Sequence, residues 1–229
     1  MFTMPRALPR QVTTPVVTVL ARLGVTPNML TVAQLLGGVV AALIIASGEL
    51  VWGGIAVLLA ATLDAFDGAL ARSTGRATRF GGVFDSVFDR LFEGVVLGGL
   101  LYYYLERGAR EESMLVFATV VGSLCVSYVR ARAEVEGVAL YDGLFTRVVR
   151  IILLTAGLVI GGLTLILWVL AVMTNLTALH RLFVVWQRLR PNKEEREREK
   201  KLEEFIATFG KWDLKLDDWE EFRHRDRSF

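Results

Sequence analysis

The apolar residues of this chain gather into six long runs divided by short polar breaks, at about residues 28–48, 50–73, 81–105, 112–134, 145–161 and 162–187. Runs of this length and apolarity read as membrane-crossing helices, which need about 20 residues each. The fifth run and the Gly161-Gly162 link after it are short, so the turn between the last two helices must be tight. Thr26-Pro27-Asn28 opens the first run, with Thr26 placed as N-cap and Pro27 at the first helical position. The expected fold is all-α: a polytopic membrane protein of six transmembrane helices.

The two ends of the chain follow other patterns. Residues 1–27 carry Pro5, Pro9 and Pro15, with Arg6, Arg10 and Arg22 among Val, Leu and Thr. That mixture predicts an amphipathic juxtamembrane helix on the membrane surface, the other reading being a loosely ordered tail. It has no compact apolar core ahead of a small-residue cleavage site, so no cleavable signal peptide is expected. From Pro191 the composition changes abruptly, and Asn192–Glu204 is almost wholly Lys, Arg and Glu. Opposite charges at helical spacing, Glu194 with Arg198 and Glu197 with Lys201, predict a solvated helix. Aromatic and apolar positions from Phe205 to Phe222 follow, suited to packing on the chain's own domain or a dimer mate, or to docking at a membrane interface or on a partner. The expected domains are residues 1–27, a six-helix domain over 28–190, and a charged cytoplasmic tail over 191–229.

Composition supports this division. Of 229 residues 53% are hydrophobic, and the mean hydropathy is +0.46. That exceeds soluble usage, and the excess sits in the runs. The single Cys125 excludes a disulfide within the chain. Net charge is only +2, but its distribution orients the protein. An even number of spans puts both termini and the 2–3 and 4–5 connections on one side. That side carries Arg6, Arg10, Arg22, Arg72, Arg76, Arg79, Arg130, Arg132, Arg147 and Arg150, whereas the other has Arg107 and Arg110 beside Glu49, Glu106, Glu111 and Glu112. The basic side is the cytoplasmic one, so the expected location is the cell membrane with both termini inside.

Four aspartates break the apolar pattern at the ends of the second and third runs. Asp64 and Asp67 are three residues apart and Asp85 and Asp89 four apart, so on helices each pair shares a face. Carboxylates near the hydrocarbon region are costly and mark functional sites. Two such faces meeting across a helical hairpin need protonation or bound cations, and hard divalent cations with oxygen ligands suit them.

The stretch Asp64-x2-Asp67-Gly68-x2-Ala71-Arg72-x8-Gly81-x3-Asp85-x3-Asp89 resembles the signature of the CDP-alcohol phosphotransferase family, and all eight signature positions match. The resemblance covers most of residues 1–187. It implies transfer of a phosphatidyl group from a CDP-linked lipid, CDP-diacylglycerol, to an alcohol with release of CMP. It also implies a Mg2+ or Mn2+ site, expected to hold two ions, and a homodimer. Asp64, Asp67 and Asp85 are expected as metal ligands, with Asp89 as general base that also touches the second metal. Like-charged neighbours favour the basic role of Asp89. The CDP-binding set is Asp64, Asp67, Gly68, Ala71, Arg72 and Gly81. Gly68 and Ala71 lack bulk beside a nucleotide, Arg72 offers charge to phosphate, and Gly81 is expected to keep the third span close to the second.

Ser127-Tyr-Val-Arg130-Ala-Arg132 and Gly143-Leu-Phe-Thr-Arg147-Val-Val-Arg150 resemble the acceptor region of the inositol-phosphate branch of that family. The acceptor-binding residues are then Ser127, Arg130, Arg147 and Arg150. Several arginines near one helix end also fit an acceptor that brings its own phosphate. Inositol 1-phosphate is therefore the expected acceptor and glycerol 3-phosphate the alternative. Thr146, Val148 and Val149 depart from the Glu-Arg-Pro-Glu-Arg run of the branch, which bears on the acceptor rather than on the reaction. An ion-coupled transporter using the same acids is the reading from a different class. The chain has neither the internal repeat nor the mid-membrane proline that would favour it.

Overall fold

The computed structural model describes residues 10–140, 145–190, 197–198 and 200–204, with the backbone alone at 10–14. The helices are α1 (Arg10–Arg22), α2 (Pro27–Ala46), α3 (Leu50–Ser73), α4 (Arg79–Glu106), α5 (Arg110–Val135), α6 (Arg147–Ile160) and α7 (Leu163–Leu189). No strand occurs among the described residues. Two compact units are distinguished, Met1–Val185 and Trp186–Phe229. In the second, the Arg190 guanidinium lies 4.1 Å from the Trp186 ring centroid, and the described residues from 197 to 204 are helical and exposed. The aromatic positions from Phe205 onward, and Glu194 of the expected charge pairs, lie outside the described residues.

The helix starts follow from local chemistry. Thr26 takes extended backbone angles and its hydroxyl accepts the Met29 N–H at 3.3 Å, with Pro27 in the first turn. Thr78 caps α4 in the same way, accepting from Gly81 N at 2.9 Å. Between α3 and α4 only residues 74–78 intervene, turning at Gly75 with φ of 65°. That turn needs the left-handed region, which glycine enters without steric cost.

Among the described residues, four helices are long and apolar enough to cross a membrane: α2, α3, α5 and α7. The six expected runs all form helices, but α4 and α6 do not reach that standard. α4 carries Asp85, Asp89, Arg90 and Glu93, and α6 has 14 residues. At 1.5 Å per residue α6 extends about 21 Å, short of a bilayer core of about 30 Å. Within the expected N-terminal segment Arg10–Arg22 form α1, whose Val17 packs with Leu30 and Leu70, and residues 1–9 lie outside the described residues.

α2 is the axis of the bundle and packs closely on α3 and α4. A β-carbon at Gly37 would press on Ala60 of α3, one at Gly38 on the Phe92 ring of α4, and one at Gly99 on the Ala42 backbone. Close approach of this kind is how membrane helices gain packing energy where lipid removes the hydrophobic drive between them. The expected role of Gly81 in holding the third span to the second is corrected here. Its β-carbon would meet Thr78 Oγ1 and, more distantly, Asn28 Oδ1 of α2, and no atom of α3. The tight contacts fall on α2 because α2 lies between the other two.

α5 and α7 meet through polar contacts. Asn175 Nδ2 donates to Ala118 O at 2.9 Å, and Arg181 Nη1 donates to Val126 O at 3.0 Å. At the other end of α5, Trp168 Nε1 donates to Glu111 at 3.0 Å. The core between the helices is built from Ile45, Val57, Phe92, Val96, Leu100, Val116 and Leu167 with their neighbours.

Candidate active site

The short α3–α4 turn brings the last turns of one helix against the first turns of the next. Asp64 and Asp67 on α3 thus face Asp85 on α4, with one carboxylate oxygen from each lying within 4.8 Å of the others. Asp67 is buried, and its Oδ2 accepts a hydrogen bond of 3.0 Å from the Thr31 hydroxyl of α2. Asp64 and Asp85 are half-buried. Three hard oxygen donors converging at this spacing fit a divalent cation of the Mg2+ or Mn2+ type. Asp85 Oδ1 and Asp89 Oδ1 are buried without hydrogen-bond partners, which also suits a cation-binding role.

Among the described residues, Arg147 forms the ion pairs with this cluster. Arg147, at the start of α6, donates from Nη1 to Asp64 Oδ2 at 2.9 Å, and the same nitrogen stands 2.8 Å from Asp89 Oδ1. The second contact is an ion pair without hydrogen-bond alignment, since Asp89 Oδ1 has no hydrogen-bond partner. The Arg147 guanidinium also stands 5.9 Å from the Phe92 ring centroid.

One turn deeper is a second ion pair. Arg150 donates from Nε to Glu93 Oε1 at 2.7 Å and from Nη2 to Oε2 at 2.9 Å, while Nη1 donates to the Phe145 carbonyl at 3.3 Å. Both side chains are buried, with Leu97, Ile151, Leu154 and Leu170 around them. The bidentate geometry is the strong form of this contact. Glu93 follows Asp89 by one turn of α4, and Arg150 follows Arg147 by one turn of α6. The two pairs are rungs between the same helices, and the lower rung fixes where the upper one falls.

The predicted acceptor arginines differ in what they meet. Arg147 adjoins Asp89, but every nitrogen of Arg150 is engaged by Glu93 or Phe145. Arg130 is about half exposed and paired with Glu134 at 2.9 Å, an i,i+4 contact within α5. Ser127 is half-buried on α5, one turn before Arg130. In the predicted nucleotide-binding set, Arg72 is exposed, and a β-carbon at Gly68 would meet only its guanidinium. Ala71 and Gly81 are half-buried. Sequence reasoning missed Thr31 and Glu93. The visible signal for Glu93 was its position one turn beyond Asp89, paralleling Arg150 beyond Arg147.

Comparison with known proteins decides the family. The model of CDP-alcohol phosphatidyltransferases matches residues 24–187. The chain belongs to the CDP-alcohol phosphatidyltransferase family. It is a membrane-embedded transferase of that family. It is 38% identical over 185 residues to the phosphatidylinositol phosphate synthase of Mycobacteroides abscessus, covering 76% of this chain and 84% of that one. It is 33% identical over 176 residues to the archaetidylinositol phosphate synthase of Pyrococcus horikoshii, covering 74% and 88%. The crystal structure of Mycobacterium tuberculosis phosphatidylinositol phosphate synthase with CDP-DAG bound superposes with a TM-score of 0.72 at 33% identity, over 77% of this chain and 94% of that one. The same enzyme in complex with manganese and citrate gives a TM-score of 0.70 at 32% identity, over 76% and 88%.

The buried rung generates a stability prediction. Glu93→Ala leaves the Arg150 charge buried without its partner, and losses of this kind are about 3–5 kcal/mol. Thermal unfolding in detergent should show a large fall in Tm for Glu93→Ala. Most of it should be recovered when Glu93→Leu is combined with Arg150→Met. Equal losses in the single and double variants would contradict the pairing.

Proposed function

We propose that this transferase moves the phosphatidyl group of CDP-diacylglycerol to the hydroxyl of a phosphorylated polyol, inositol 1-phosphate, giving phosphatidylinositol phosphate and CMP. The observation that carries the reading is the convergence of Asp64, Asp67 and Asp85 beside Asp89 and Arg147. The similarity to phosphatidylinositol phosphate synthases supports the choice of acceptor.

In this reading Asp64, Asp67 and Asp85 hold divalent metal, two Mg2+ or Mn2+ ions, with Asp89 touching the second. When bound, such ions neutralise charge developing on the transferring phosphoryl group. The open backbone at Gly68 and Ala71 receives the nucleotide, Arg72 meets its phosphates and Gly81 closes the opposite wall. Asp89 accepts the proton of the acceptor hydroxyl. The hydroxyl oxygen then bonds to the lipid-linked phosphorus while the anhydride bond to CMP breaks. Arg147, with Ser127 and Arg130, receives the acceptor's phosphate, and Arg150 supports Arg147 from the rung below. Glycerol 3-phosphate, which also carries a phosphate, is the second acceptor this pocket would admit.

The same reading places six helices across the membrane. α4 lies beside α2 from Gly81 at Asn28 to Gly99 at Ala42, so it shares the depth of a helix that crosses. With α1 on the surface, the aspartate site and both termini face the cytoplasm, in keeping with the arginine-rich side. The domain divisions are residues 1–27, 28–190 and 191–229, and the family resemblance supports a homodimer.

Two measurements test this. In the first, CMP release from CDP-diacylglycerol with Mg2+ or Mn2+ is compared across inositol 1-phosphate, glycerol 3-phosphate, free inositol and serine. Inositol 1-phosphate should be the best acceptor. A preference for serine or free inositol would contradict the phosphate pocket, whereas a preference for glycerol 3-phosphate would overturn the acceptor alone. In the second, Asp64→Asn, Asp67→Asn and Asp85→Asn should each abolish metal binding and turnover. Asp89→Asn should retain nucleotide binding with a rate reduced about a hundred- to ten-thousand-fold. Turnover of the Asp89 variant at the unsubstituted rate would reject its role as base.

A further inference from the structure

α2 carries a polar residue that belongs to neither the acidic motif nor the acceptor region. Gln34 is fully buried, and neither its amide oxygen nor its amide nitrogen has a hydrogen-bond partner among the described residues. A buried carboxamide without partners is expensive to keep and calls for an explanation. Gln34 follows Thr31, whose hydroxyl holds Asp67, by one turn, and precedes Gly38, which abuts the Phe92 ring, by one turn. It therefore stands on the face of α2 that meets both α3 and α4.

The contacts of α2 also fix its depth. Against α3, Thr31 meets Asp67 and Gly37 meets Ala60, an antiparallel register that sets Gln34 opposite Leu63 and Asp64. Against α4, Asn28 meets Gly81 and Gly38 meets Phe92, a parallel register that sets Gln34 opposite Val87 and Phe88, one residue before Asp89. Gln34 is thus level with Asp64 and within about one residue's rise of Asp89, the two carboxylates that Arg147 joins. The polar groups of the site are short of partners as well: Asp85 Oδ1, Asp89 Oδ1, Arg147 Nε and Arg147 Nη2 are buried without hydrogen bonds. A carboxamide suits this place, because it offers two N–H donors and an acceptor without changing the charge of the site.

We propose that Gln34 is a positioning residue of the metal site, orienting the carboxylates of Asp64 and Asp89 toward a divalent cation from behind. The proposal rests on the metal-binding reading of those acids made above. Gln34 acts through the acids and touches neither the substrate nor the reacting atoms. Its tests separate it from a residue that merely fills the core.

The full chain is purified in detergent, and Mn2+ is titrated with free Mn2+ followed by electron paramagnetic resonance. Partners that orient metal ligands commonly set metal affinity by about 10- to 100-fold. Gln34→Leu and Gln34→Met should each weaken Mn2+ binding at least about tenfold. The metal-free variants should unfold at the same temperature as the unsubstituted chain or higher, since an apolar side chain of similar size removes an unpaired amide from the interior. Unchanged Mn2+ affinity in both variants would overturn the proposal. Weakened binding matched by a collapsed metal-free Tm in both would overturn it too, assigning Gln34 to packing alone. An unsubstituted chain that takes up no Mn2+ would overturn the metal reading itself, an outcome distinct from failure of the variants.

Discussion

Four carboxylates gathered at the junction of α3 and α4 repel one another, and the fold sets the Arg147 guanidinium directly against them. Arg147 joins Asp64 to Asp89 across α3 and α4. Arg147, with Arg90 beside Asp89, offsets only part of the four negative charges, and a divalent cation can neutralise the excess. The tight α3–α4 turn sets the acids face to face. α2 buttresses Asp67 through Thr31, and α6 delivers the arginine. The buried Glu93–Arg150 pair pins α6 to α4, so that Arg147 meets Asp89 rather than slipping a turn.

The packing serves the same end. Glycines at 37, 38 and 99 let α2 approach α3 and α4 closely enough for a short threonine side chain to reach Asp67. Stiff close-packed helices hold a polar site to better tolerance than loops do. The lower ion pair adds specificity of register, a role for which buried charge is suited even where its net contribution to stability is small.

Much of this was legible in the sequence because it is local. The Thr26 cap follows from a threonine and a proline side by side, and the helix bounds follow from runs of apolar residues. The acidic faces follow from spacings of three and four. What was not legible is long-range. Nothing local says that Arg150 meets Glu93, 57 residues away, rather than a substrate phosphate, or that Thr31 holds Asp67, 36 residues away. The role expected of Gly81 failed for the same reason, since the axis of the bundle turned out to be α2. Among the described residues, α4 and α6 fall short of the length and apolarity of a crossing helix because charges lower the apolarity of α4 and α6 is short.

The central claim is that the convergent acids form a divalent-metal centre whose charge Arg147 partly balances. The most direct measurement is a crystal structure of the full chain grown with Mn2+ and recorded at a wavelength where manganese scatters anomalously. The account predicts an anomalous peak bounded by carboxylate oxygens of Asp64, Asp67 and Asp85. An anomalous map without density among those three carboxylates, at Mn2+ concentrations that support CMP release, would contradict it.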